Sequence, residues 1–74
     1  MFIVVKKNRI HESGAESATS KTYTDYDIAL RDFYSNLSAN VADMTVERFD
    51  ITILNDTLIP CKTEHFERKY ATEE

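Results

Sequence analysis

The chain has 74 residues with one Gly, one Pro, one Cys and no Trp, enough for one small domain whose single apolar core is only just sufficient. With 42% apolar and 30% charged residues it has a folded composition; one Gly excludes both common glycine-rich phosphate loops, and one Cys excludes an internal disulfide framework and any CxxC zinc or redox motif. The net charge is −4, all of it in residues 38–74, where four Lys/Arg face eight Asp/Glu, whereas residues 1–37 balance five against five; an acidic second half disfavours binding to a nucleic-acid backbone.

Phe2-Ile3-Val4-Val5 is an unbroken run of β-formers followed by Lys6 and Lys7. It is too short for a signal-peptide core or a membrane span, and it predicts a cytoplasmic chain with a reduced thiol. The run opens a strand over residues 2–10, apolar on both faces. A loop containing the only Gly follows over residues 11–17, and Ala18 to Tyr23 forms a second, Thr-rich strand, so that the two make a hairpin with a long, mobile connection. Thr24 is positioned to cap a helix, with Asp27 three residues on as the acidic half of a capping box. Tyr26, Ala29, Leu30, Phe33, Leu37 and Val41 recur at spacings of three and four, one apolar stripe on a helix over about 25–42. Ile28 falls on the outer side, and Tyr34 at the margin of the stripe with its hydroxyl in water.

Residues 46–54 alternate, with Phe49, Ile51 and Ile53 on one side and Arg48, Asp50 and Thr52 on the other. Asn55-Asp56-Thr57 is turn chemistry, and Leu58 to Phe66 returns as a fourth strand. Pro60 cannot donate to a ladder, so that strand lies at an edge near its start or Pro60 faces outward. The expected fold is α+β, β-β-α-β-β: one antiparallel four-stranded sheet with a single helix packed on one face. Residues 1–68 form the domain and 69–74 a frayed polar tail.

Catalytic and metal chemistry find little support. Cys61 and His65 share a strand face but stand about 13 Å apart, too far to hold one ion, so Cys61 is read as a small core hydrophobe and His65 as half-buried. Asp25 and Asp27 are better explained by capping than by acid–base work, and no nucleophile-elbow motif is present. The chain is therefore expected to be no enzyme and to take no metal or cofactor. The basic cluster Lys6, Lys7 and Arg9 reads as a solubilising strand end, and nucleic acid and membrane are not expected partners.

One helix covers one sheet face, yet the first strand offers Phe2 and Val4 on one side and Ile3 and Val5 on the other. One apolar set therefore needs cover from elsewhere, most simply a second copy of the chain. Phe2, Val4, Leu54 and Phe66 are the candidate interaction residues. The alternative is an acidic inhibitor that occupies a nucleic-acid site on a host enzyme, built on Asp43, Glu47, Asp50, Asp56, Glu64 and Glu67 and interrupted by Arg48 and Lys62.

The Tyr26–Asp43 segment with its Ala29-Leu30-x-x-Phe33 stretch, then Asn55-Asp56, then the Lys62-x-Glu64-x-Phe66 strand end, resembles small uncharacterised phage- and prophage-encoded proteins of Gram-positive bacteria. The resemblance covers about two-thirds of the chain; Pro60 and a turn without glycine depart from it. It implies the hairpin–helix–hairpin order and no assigned chemistry. The expected function is a small protein-interaction or assembly module that self-associates through its sheet, with a homodimer or another protein as the expected partnership.

Overall fold

The structure is a computed structural model that describes residues 1–69. The elements are β1 (Phe2–Ile10), β2 (Glu16–Tyr23), α1 (Tyr26–Ala42), β3 (Val46–Leu54) and β4 (Pro60–Glu67). The sheet is antiparallel throughout in the order β2-β1-β3-β4, and α1 packs on one face. β1 and β3 are the two central strands because they hold the β-branched and aromatic residues that fill a buried sheet. The polar β2 and the proline-headed β4 take the edges, as a missing ladder donor at Pro60 requires.

The core is Val4, Ala29, Phe33, Val46, Phe49, Ile51 and Ile53, each at most 2% exposed. Phe2, Ile10, Tyr23, Tyr26, Leu30, Leu37 and Phe66 pack around it. Strand alternation then assigns the sides. Phe2, Val4, Lys6, Asn8 and Ile10 lie under the helix, and Ile3, Val5, Lys7 and Arg9 lie on the opposite side. The helix side is partly polar: Lys6 Nζ donates to Asn36 Oδ1, and Asn8 Nδ2 donates to Asn40 Oδ1 at 3.3 Å. These half-buried amides follow the aliphatic core toward the far end of α1 and keep the Lys6 stem and Asn8 from being buried without partners.

Several local expectations are corrected. The helix cap is Asp25 rather than Thr24: its Oδ1 accepts from the Asp27 N–H at 2.8 Å. The β1–β2 connection is tight, not long. Ile10 N–H donates to Ala15 O and Gly14 N–H to Ile10 O, both at 2.8 Å, with Gly14 at φ +70°, a conformation that glycine adopts without strain. Val41 is 40% exposed, so the apolar stripe ends at Leu37. Cys61 is exposed and not a core residue: it shares the side of Thr63 and His65, away from the helix, on an edge strand, where the β3–β4 register shifts between Ile53↔Lys62 and Leu54↔Pro60. His65 is exposed too. Ile28 and Tyr34 are exposed, as their places on the helix predict.

Arg68, expected at the end of the domain, is anchored. Its Nη2 donates to Val41 O at 2.7 Å and Asp43 O at 3.0 Å, and its Nε donates to Val46 O at 3.1 Å. A guanidinium thus satisfies a helix C-terminus that has no basic residue in its own last turn. Of the expected frayed tail, residues 70–74 lie outside the described residues.

Candidate functional site

The helix-free face of the sheet is a grid whose rows are set by strand register. Across β2, β1, β3 and β4, one row holds Thr22, Ile3, Leu54 and Pro60, and the next holds Ser20, Val5, Thr52 and Thr63. Below these come Ala18, Lys7, Asp50 and His65, and then Glu16, Arg9, Arg48 and Glu67. The face therefore divides into an aliphatic and hydroxyl half at the β3–β4 turn end and a charged half at the other end. The division follows from the sequence of β1, where two aliphatic outward residues, Ile3 and Val5, precede two basic ones, Lys7 and Arg9.

The charged half is largely neutralised within the chain. Lys7 Nζ lies 3.4 Å from Glu16, and Arg9 reaches Glu16 at 3.7 Å and Glu47 at 3.5 Å. The Arg9 Nε–Glu47 contact is charge attraction without hydrogen-bond geometry. Glu47 reaches this side through a bulge: the β1–β3 register moves from Arg9↔Arg48 to Ile10↔Val46, leaving Glu47 as the extra residue. It also lies 3.1 Å from His11 Nδ1. His65 Nδ1–H donates to Asp50 Oδ1, and Nε2 stands 3.7 Å from Glu67. The hydrogen bond to Asp50 holds the imidazole pKa above its ordinary value, with the charges of Asp50 and Glu67 adding to the effect.

In the aliphatic half the Thr52 and Thr63 hydroxyls pair at 3.3 Å, and the aliphatic side chains beside them stay partly open. Ile3, Val5 and Leu54 are only half-buried. Beyond the Leu54–Pro60 pair, the β3–β4 turn presents Leu58 at 64% and Ile59 at 57% exposure. The turn is held rigidly for an exposed segment. Asn55 Oδ1 accepts from Thr57 N–H at 2.9 Å and Ile59 N–H at 3.0 Å, and the Met1 amino group lies 2.9 Å from Asp56 Oδ1. Leu58 adopts φ +63°, a left-handed conformation unusual for a leucine.

The four residues expected to make an interaction surface separate across the sheet. Val4 is 2% exposed in the core, and Phe2 and Phe66 pack against that core under the helix. Leu54 alone lies on the helix-free side. Alternation explains the split: Phe2, Val4 and Phe66 share the parity of the Phe49–Ile53 core set, and Leu54 has the other. Ile3 and Val5 join Leu54 on that side, a set that becomes legible once the side of β1 facing the helix is fixed; Leu58 and Ile59 are exposed on the adjoining turn.

The other residue groups are dispersed. Lys6 turns to the helix while Lys7 and Arg9 turn away, so the basic cluster forms no single patch. Of the acidic residues, Asp43 bonds Thr45, Glu47 meets Arg9, Asp50 meets His65 and Asp56 meets the amino terminus, while Glu64 lies on the helix side opposite Ile51. Among the described residues no group of three or more His, Cys, Asp and Glu side chains is placed to hold a metal ion, and no helix is long and apolar enough to cross a membrane. A scan against protein-family models, a search of curated proteins and a search of solved structures each found no match.

Proposed function

We propose that the chain is a small non-enzymatic interaction module that self-associates through the aliphatic half of its helix-free sheet face, with Ile3, Val5 and Leu54 as the contact set and Leu58 and Ile59 of the adjoining turn beside them. The observation that carries this reading is the pair of leucine and isoleucine side chains held more than half exposed on an ordered turn beside half-buried Ile3 and Leu54. Full burial of one Val, Leu or Ile side chain contributes about 1.5–3 kcal/mol; Ile3, Val5 and Leu54 are already half-buried and add only part of that, with Leu58 and Ile59 adding more, toward the entropic cost of association, about 4–15 kcal/mol. The neutralised charged half gives the same face a polar rim. The resemblance to phage- and prophage-encoded proteins, and a cytoplasmic setting, are part of the same proposal.

Solution mass by light scattering tests it. The unsubstituted chain at high micromolar concentration should have the mass of more than one copy. Val5→Lys, which places an ammonium in the centre of the aliphatic half, should lower that mass while leaving the helical circular-dichroism signal intact. An unsubstituted chain with the mass of one copy refutes self-association.

A further inference from the structure

The two edges of the sheet are built differently. β4 is guarded: it starts at Pro60, carries the bulge at Cys61, and has Glu64, His65 and Glu67 along its length. Such features blunt an edge against further pairing. β2 lacks the proline and the bulge, and its two charged residues, Glu16 and Lys21, stand near its ends. It runs in unbroken register with β1 from Phe2↔Tyr23 to Arg9↔Glu16, contains no proline, and every residue from Glu16 to Thr22 is exposed.

The direction of its unpaired groups is fixed. Because Ile10 N–H donates to Ala15 O, the ladder phase makes Ser17, Thr19 and Lys21 pair with β1. Glu16, Ala18, Ser20 and Thr22 then direct their N–H and C=O groups away from the sheet, as a ready template for another strand.

We propose that β2 pairs antiparallel with β2 of a second copy, about a two-fold axis normal to the sheet, joining two four-stranded sheets into one. Three features fit this occupant. Strands opposed about an axis at Thr19 set Ser17 against Lys21 and Glu16 against Thr22, with no like charges facing; Glu16 is already neutralised by Lys7 and Arg9. The helix packs mainly on β3 and β1 and touches β2 less, leaving a groove of about 390 Å³ above β2 between Lys6, Lys21 and Asn36, so the space over this edge is open. A foreign extended peptide is selected through pockets for its alternate side chains. Beside this edge stand the small side chains Ala18, Ser20 and Thr22 and the ion-paired Glu16 on one side and a polar groove on the other.

The edge interface uses main-chain groups and is separate from the aliphatic face, so the two are tested separately. Amide exchange is followed by NMR on the full chain and on Val5→Lys, in which the face contact is disabled. The amides of Ala18, Ser20 and Thr22 should be protected at high concentration and lose about tenfold or more of that protection on dilution, while Thr19 and Lys21 keep theirs. Val5→Lys should retain the mass of two copies. Ser20→Pro removes an outward donor without touching the β1 ladder; in the Val5→Lys background it should reduce the mass to one copy. Unprotected exchange at Ala18, Ser20 and Thr22 at the highest concentration overturns the proposal. Protection that ignores dilution, showing cover by the chain itself, or that appears only when a foreign peptide is added, overturns it equally. The exchange pattern of the unsubstituted chain decides even if Ser20→Pro fails to fold.

Discussion

Phe33 is the residue on which the helix–sheet contact turns. It is fully buried at the centre of α1, in one cluster with Val4, Phe49, Ile51 and Ile53. Its ring meets Tyr34 edge-on at 5.3 Å, and the Lys62 ammonium lies 5.8 Å from its centroid. Replacing a buried phenylalanine by alanine costs about 3–5 kcal/mol, lost transfer energy plus the cavity left behind. The upper part of that range applies because the neighbours are strand residues fixed by ladders on both sides, which cannot collapse into the void. A domain of this size has a total stability of about 4–11 kcal/mol at the usual amount per residue, so Phe33→Ala removes a third or more of it. At about 4–8 °C per kcal/mol for a small domain, the melting temperature should fall by at least about 15 °C. Urea unfolding followed by circular dichroism measures the change directly, with Phe33→Leu as the milder control. A loss below about 1 kcal/mol, the level of an ordinary surface substitution, would refute the assignment of this helix face.

Two further outcomes follow from polar contacts. Arg68→Ala should destabilise by about 1–2 kcal/mol, because the carbonyls of Val41 and Val46 lose the guanidinium donor and that of Asp43 is left with the Val46 N–H alone. Faster amide exchange in the last turn of α1, read against Arg68→Lys, distinguishes lost capping from lost charge. The raised His65 pKa makes the protonated imidazole more favourable in the folded chain than in the unfolded one. That contribution is fully present below the ordinary histidine value of about 6.5 and disappears as pH rises through the elevated folded value. Stability measured across this window should decline with rising pH, and His65→Gln should flatten that part of the profile. An unchanged slope in the variant would show that the Asp50 contact does not set it.

The order of elements was written in the chain itself. The stripe from Tyr26 to Leu37 has helical spacing, Phe49, Ile51 and Ile53 alternate, and Pro60 marks an edge strand; each signal is local and depends only on residue type and period. Which side of β1 meets the helix was not written there, since Phe2 and Val4 are as apolar as Ile3 and Val5. Tertiary packing decided it by putting Lys6 and Asn8 beside Asn36 and Asn40, and Lys7 and Arg9 beside Glu16 and Glu47. The two bulges were equally invisible. Simple alternation puts Val46 on the opposite side from Phe49, and only the extra residue Glu47 lets both reach the core. The expected core thiol, Cys61, lies exposed because the helix does not cover its side of the edge strand. Arg68 sits in a polar stretch and acquires its role from carbonyls brought to it by the end of α1 and the start of β3. A period records how a segment repeats, whereas register, bulges and long-range caps depend on which segments meet in space.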